Sequence, residues 1–140
     1  MNTQVDFQTA KLLKEKGFKN PSITYYDKEN NLETYKLCYC QIYSTAWHQM
    51  VSSRYLDIDI YSAPTIAEVV MWLYEKHRIW ISVFTMDKWI PNGNNKTQIF
   101  DYTIKQMKIG LIDIHKKFEE FNSPIEAYTE AIKYTLNHLI

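Results

Sequence analysis

The sequence predicts an α+β domain, with about three helices packed on an antiparallel-rich sheet of four or five strands. Two predicted helices begin with capping signatures, and the helical spacing of apolar residues changes to a strand-like run directly after one of them. A polar stretch of hairpin length also separates two apolar runs. With 140 residues and 46% apolar content, the chain can form one core, so residues 1–140 are expected to be a single domain.

The first predicted helix covers residues 6–16. Asp6 is a candidate N-cap, and lysines crowd the last turn, where the helix dipole favours positive charge. Gly17 occupies the position at which a left-handed C-cap is needed, and Phe18 can close the cap by an apolar contact. The apolar stripe of this helix consists of Phe7, Ala10 and Leu13.

A β-hairpin is predicted next. Its strands run from Ile23 to Tyr26 and from Leu32 to about Cys40, and the polar residues 27–31 join them.

Residues 41–60 do not favour one conformation. From Gln41 to Arg54 no steady period is present, which is typical of a long loop or an irregular helix. Residues 55–61 alternate in polarity, which indicates a half-buried strand or an extended lead-in to the following helix. Loop, helix and strand therefore all stay open for this segment.

The sequence is organised around a helix over residues 65–77 and the strand that follows it. Thr65 and Glu68 have the spacing of a capping box. The run from Ile79 to Phe84 is apolar at almost every position, which predicts a central strand covered on both faces. We expect core packing for both Trp72 and Trp80.

The C-terminal half contains two further strands and a helix. Residues 91–95 favour a turn, Gln98–Gln106 alternates as a strand does, and Leu111–Ile114 is a shorter strand candidate. Ser123 and Glu126 form a second capping box, with Pro124 at the first helical position. Phe100, Tyr102 and Ile104 are expected on one face of the strand. The buried face of the helix is expected to consist of Tyr128, Ala131, Ile132, Leu136 and Leu139.

Charge and composition limit the function classes. Lys plus Arg and Asp plus Glu both number 16, so the basic excess that phosphate binding requires is absent, and we see no strong nucleic-acid signal. No apolar run approaches the ~20 residues that span a bilayer, and the N-terminus lacks the apolar core of a secretion signal. A cytoplasmic protein without membrane contact is expected.

Few residues have the spacing of a chemical site. Cys38, Cys40 and His48 form a loose cluster without a fourth ligand, and two small buried cysteines are the favoured interpretation. Asp57 and Asp59 resemble the metal-binding pair of nucleotide-sugar transferases, yet an alternating strand produces the same pattern. We therefore expect no catalytic residue, no cofactor and no metal.

Three stretches resemble a known group of proteins. They are residues 6–18, residues 62–65 with Trp72-Leu73, and Glu126-Ala127 with residues 131–134. Together they are similar to small uncharacterised proteins found in prophages and mobile elements of gut Bacteroidetes. The resemblance implies a phage or mobile-element origin. The shared residues are caps and core positions, and they bring no activity or catalytic motif.

The favoured function is binding to another protein or to a second copy, without enzymatic activity. The 11 tyrosines and 4 tryptophans favour both core packing and interfaces, and the candidate interaction surface consists of Tyr43, Trp47 and Met50. The alternative is a single-stranded nucleic-acid-binding protein that stacks bases on the tyrosine-rich hairpin, on Tyr25, Tyr26, Tyr35 and Tyr39. A third hypothesis is an enzyme of unknown class using His48, Asp57 and Asp59.

Overall fold

The computed structural model describes residues 3–20, 22, 24–27, 29–34, 61–89, 96–107, 111–115 and 119–140. In chain order the elements are α1 (Phe7–Glu15), β1 (Thr24–Tyr26), β2 (Leu32–Thr34), β3 (Tyr61–Ser62), α2 (Ile66–His77), β4 (Ile79–Trp89), β5 (Lys96–Met107), β6 (Leu111–His115) and α3 (Pro124–His138).

The strands belong to two sheets. One has the order β2-β1-β3 and the other β4-β5-β6, and every pair is antiparallel. The α+β class is confirmed, but the prediction of one sheet of four or five strands is wrong, because the described strands are divided between the two sheets. Polarity patterns mark extended segments without specifying which segments pair.

The chain also divides into two compact units, Met1–Glu68 and Val69–Ile140. The first contains α1 and the β2-β1-β3 sheet, and the second contains the β4-β5-β6 sheet and α3. A single domain over residues 1–140 stays a prediction.

Both ends of α1 are stabilised by local hydrogen bonds, as the sequence predicts. The Asp6 carboxylate accepts from the Thr9 amide at 2.8 Å. At the other end Gly17 has φ of 81°, the Phe18 amide donates to the Leu13 carbonyl at 2.9 Å, and the Gly17 amide donates to Lys14 at 3.2 Å. This is a Schellman cap, and its two apolar members, Phe18 and Leu13, are both buried.

The predicted hairpin is confirmed as far as the described residues reach. Strands β1 and β2 pair with Tyr26 opposite Leu32, and residues 27–31 connect them. The Asp27 carboxylate accepts from the amides of Glu29 and Asn31 at 2.8 and 2.9 Å, which closes the turn. Residues 35–40 of the predicted second strand, and residues 41–60, lie outside the described residues.

Helix α2 begins at the predicted capping box. The Glu68 carboxylate accepts from the Thr65 amide at 2.7 Å, and the Thr65 hydroxyl accepts from the Glu68 amide at 3.3 Å. Trp72 on this helix is only 3% exposed, which confirms its core position. The helix ends at His77, and Arg78, whose φ of 57° is left-handed, turns the chain directly into β4.

Strand β4 differs from its prediction. It is not a central strand among the described residues, because it lies at the edge of the β4-β5-β6 sheet. Ile79 and Ile81 are buried, whereas Trp80, which was expected in the core, is 38% exposed. An apolar run is equally compatible with burial and with an exposed apolar surface, so composition could not separate the two.

Strands β4 and β5 form a long antiparallel hairpin, and helix α3 packs against it. Strand β4 pairs with β5 from Ile79 opposite Gln106 to Trp89 opposite Lys96, so the connection between them spans residues 90–95, outside the described residues. Helix α3 contacts both strands. Its buried residues are Ala127, Ala131, Ile132, Thr135 and Leu136, whereas Tyr128 and Leu139 are only half-buried.

Removing the α3 cap should destabilise the protein. The Ser123 hydroxyl accepts from the Glu126 amide at 3.2 Å, so Ser123→Ala should lower the free energy of unfolding by about 1 kcal/mol. Ser123→Asp retains an acceptor and should stay close to the wild type. Urea unfolding of the three proteins measures the difference, and equal stability of Ser123→Ala and wild type would contradict the cap.

Position 78 should favour glycine. A side chain at left-handed φ is strained, whereas glycine is not. Both Arg78→Gly and Arg78→Ala lose the guanidinium that lies 5.9 Å from the Tyr74 ring, so their comparison isolates the backbone effect. Arg78→Gly should be more stable than Arg78→Ala by about 1 kcal/mol in urea unfolding. An alanine variant of equal or greater stability would show that the strain is absent.

Candidate functional site

The residues predicted from sequence to form a site lie outside the described residues. This applies to the candidate interaction surface, to the cysteine–histidine cluster and to the aspartate pair: Tyr43, Trp47, Met50, Cys38, Cys40, His48, Asp57 and Asp59. These predictions stay predictions, and the candidate site below comes from other residues.

The tyrosine-rich hairpin is only partly available as a stacking surface. Tyr26 is 7% exposed, its hydroxyl donates to the Val5 carbonyl at 2.9 Å, and its ring packs edge-on against Phe7 at 5.6 Å. A base cannot stack on a ring that is buried in this way. Tyr25 is half-buried, and Tyr35 and Tyr39 lie outside the described residues.

A buried carboxylate links β5 to the chain before α3. Asp101 is buried, and its side chain accepts from the amides of Tyr102 at 2.7 Å and Glu119 at 3.4 Å. The backbones of Phe100 and Phe121 exchange two hydrogen bonds beside it, of 2.9 and 3.0 Å. These contacts give Asp101 a structural role, because its oxygen satisfies buried amides.

Among the described residues, Tyr102 is the titratable group whose pKa is shifted most by its surroundings. Burial raises its pKa to about 12, and the carboxylates of Glu119, Glu130 and Asp101 raise it in the same direction. General acid–base chemistry requires a pKa near the working pH. The shift of Tyr102 is away from neutrality, so its environment favours a packed, protonated phenol over a proton-transfer group.

The hairpin of β4 and β5 is covered over only part of its length. One face holds Ile79 and Ile81 of β4 together with Tyr102 and Ile104 of β5, all buried. Helix α3 contacts both strands, and the burial of these four side chains places this face toward the helix. Nearer the tip, the same face carries the exposed residues Thr85, Asp87, Trp89, Lys96 and Gln98.

The charges near the tip are paired. The Lys96 ammonium lies 3.3 Å from the Asp87 carboxylate and 4.8 Å from the centre of the Trp89 ring. Lys88 is ion-paired with Glu120. Trp89, which is 64% exposed, is therefore held by a cation–π contact beside a neutralised pair of charges.

The opposite face of the hairpin is a second candidate binding surface, distinct from the surface predicted from Tyr43, Trp47 and Met50. We call it the aromatic face. Its two large rings are Trp80 and Phe84, which are 38% and 36% exposed. The Tyr74 ring packs edge-on against Trp80 at 5.7 Å and holds it in place. Strand alternation places further residues on the same face, and Asp101, opposite Phe84, is buried. These residues are Ser82, Met86, Lys88, Thr97, Ile99, Asp101, Thr103 and Lys105.

The outer edge of β4 lies beside this aromatic face. Within the described part of the chain, β4 is paired only with β5, and that pairing runs through all 11 of its residues. Natural edge strands are usually interrupted by a bulge, a proline or a charge. Residues 79–86 contain no proline and no charge, and their pairing with β5 has no register shift. Among the described residues, therefore, no strand covers this edge over residues 79–86, and the charges of β4 begin only at Asp87.

The sequence contains part of the evidence for this exposed strand. The run that includes Trp80 and Phe84 predicts a strand correctly, but its apolar composition predicts that Trp80 lies in the core. Ser82 and Thr85 interrupt the run and could have indicated a less deeply buried strand. The edge position itself depends on pairing with residues 96–107, which single-strand patterns do not specify.

Known proteins provide no evidence about the function of this chain, so the function is inferred from the structure. No protein-family model matches the chain, and no curated protein or solved structure matches it. In the described residues, no helix is long and apolar enough to cross a membrane. The same residues contain no group of three or more His, Cys, Asp or Glu side chains placed to hold a metal ion.

The raised pKa of Tyr102 should appear as a loss of stability in alkali. In the unfolded chain a tyrosine ionises near pH 10, whereas folded Tyr102 keeps its proton to about pH 12. The unfolded state then binds fewer protons, so the contribution of Tyr102 is complete below pH 10 and is lost as pH rises toward 12. Urea unfolding across this range should show a shallower decline for Tyr102→Phe than for wild type. Parallel declines would exclude the buried phenol as the cause.

Proposed function

We propose that the protein is a non-enzymatic accessory module that binds a protein partner, either another protein or a second copy of this chain, through the β4–β5 hairpin. The observation that carries the proposal is the edge strand β4, which combines an outer edge that no described strand covers with the partly exposed rings of the aromatic face. The resemblance to prophage and mobile-element proteins supports a phage-derived origin as a further part of the proposal.

The chemistry of this surface suits a protein partner. Aromatic and methionine side chains are enriched at the centres of protein interfaces, and an extended peptide can add to a sheet edge by main-chain hydrogen bonds. Among the described residues, four of the six exposed large apolar side chains lie on this sheet. They are Trp80, Phe84, Trp89 and Met107, whereas Met71 lies on α2 and Leu32 on the first sheet.

The charges of the hairpin favour a protein over a nucleic acid. Lys88 and Lys96 are each ion-paired with a carboxylate, so the region near the tip has little net positive charge. The whole chain is likewise balanced, with 16 basic and 16 acidic residues. Nucleic-acid affinity depends mainly on contacts between cations and phosphates. The electrostatic contribution to nucleic-acid binding is therefore weak at this surface.

Affinity capture from a lysate of a gut Bacteroidetes species, the host that the resemblance implies, tests the proposal. The wild type should retain one protein in a fixed ratio after nuclease treatment. Trp80→Ser/Phe84→Ser should weaken this capture by about tenfold or more, as the loss of central aromatic residues does. Met71→Ser is the matched control, since Met71 is exposed on α2 and belongs to neither strand of the hairpin, and it should capture normally.

Other outcomes separate the alternatives. Capture that disappears on nuclease treatment would favour the single-stranded nucleic-acid hypothesis. Capture that survives the hairpin variant but is lost in Trp47→Ala would move the interaction to the surface predicted from Tyr43, Trp47 and Met50. Equal capture by the hairpin variant and the Met71→Ser control would contradict the hairpin as the binding surface.

A further inference from the structure

We infer that the partner of the hairpin is a second copy of this chain, and that two β4 strands pair antiparallel around a twofold axis that passes beside Phe84. The inference rests on the proposed function, because it names the partner of the same surface. The resulting sheet would have the order β6-β5-β4-β4-β5-β6.

The first argument is the mismatch between the composition of β4 and its position. Its first eight residues, 79–86, are uncharged and mostly apolar on both faces, which is the composition of a central strand. In the described sheet β4 is nevertheless at the edge. A second β4 strand added to that edge would place β4 in the centre. The composition and the position of the strand would then agree.

The second argument is geometric. A twofold axis perpendicular to a sheet places an edge strand antiparallel to its own copy, so one surface serves both sides of the interface. The contact requires a long, regular strand without bulges. Strand β4 meets this requirement, since it pairs with β5 through all 11 residues in unbroken register.

The third argument is the register. With Phe84 opposite Phe84, the whole of β4 overlaps, Trp80 faces Lys88, and Ile81 faces Asp87. No two like charges meet in this arrangement. One step toward the start of the strand would place Arg78 opposite Lys88. Steps toward the tip shorten the overlap and eventually place Asp87 opposite Asp87 or Lys88 opposite Lys88.

Two of the side-chain pairs in this register, Phe84 with Phe84 and Trp80 with Lys88, are chemically matched. Directly opposed residues of antiparallel strands have Cβ atoms roughly 4.5–5.5 Å apart, a distance at which two phenylalanine rings interact favourably. Lysine facing tryptophan forms a cation–π contact, and this chain already uses that contact between Lys96 and Trp89. Lys88 can adopt it, because its present ion pair with Glu120 joins two well-exposed side chains and holds it weakly.

Charge reversal at the axis tests the inference. By light scattering, the wild type should have twice the mass of the chain at high protein concentration and dissociate on dilution. Phe84→Lys and Phe84→Glu should each be monomeric, because each places like charges opposite each other at the axis. An equal mixture of the two should recover the dimer mass. Damage to folding cannot produce this recovery, so the mixture separates a broken interface from a broken protein.

Disulfide trapping tests the register. In a Cys38→Ser/Cys40→Ser background, Phe84→Cys should form a covalent dimer on oxidation, because opposed Cα atoms in antiparallel strands lie within disulfide range. Ser82→Cys in the same background faces Met86 and should not cross-link to itself. An equal mixture of Ser82→Cys and Met86→Cys should form the mixed disulfide.

Each contrary outcome overturns the inference. A wild type that stays monomeric at every concentration excludes the second copy as partner. A dimer that persists in both Phe84→Lys and Phe84→Glu, or that cross-links through Ser82→Cys alone, excludes this interface. The proposed function fails separately, when the capture described above is insensitive to Trp80→Ser/Phe84→Ser. A monomeric protein whose lysate capture depends on those residues would retain the binding surface and lose only the inferred partner.

Discussion

The antiparallel pairing of β4 with β5 is the interaction on which the second unit depends. Eleven consecutive residue pairs hold the two strands together, and the resulting ribbon positions every other feature of that unit. Alternation along the ribbon separates a face toward α3 from the aromatic face. Strand β6 and the backbone of Phe121 occupy the far side of β5, which leaves β4 as the outer strand among the described residues.

The side chains of the ribbon are buried at one end and exposed toward the tip. The buried end stabilises the fold, and the exposed end is available for binding. Near α2 the ribbon supplies core residues such as Ile79 and Ile104, whose burial by α3 stabilises the fold. Toward the tip the same strands carry exposed residues, including Trp89. Large rings that remain exposed contribute little to folding, because their apolar surface is not removed from water. The free energy gained by burying these rings is available to a binding interface instead.

The first unit is held together by backbone hydrogen bonds between distant parts of its chain. Within the described residues, β1 is paired on both sides, by β2 and by β3. The N-terminal segment adds further main-chain contacts, since the Val5 amide donates to Pro64 at 3.0 Å and the Ile66 amide donates to Thr3 at 2.9 Å. These bonds hold the N-terminal segment against residues 64–66.

The sequence by itself determined the features that depend on neighbours along the chain. The caps at Asp6, Thr65 and Ser123 are hydrogen bonds between residues three positions apart, so local spacing was sufficient to find them. The turn at residues 27–31 and the αL cap at Gly17 are local in the same way. Tertiary structure alone decided which strands pair, that β4 lies at an edge, and that Trp72 is buried while Trp80 is exposed. These properties depend on contacts between residues distant in sequence, and no pattern within a single strand encodes its partner or its cover.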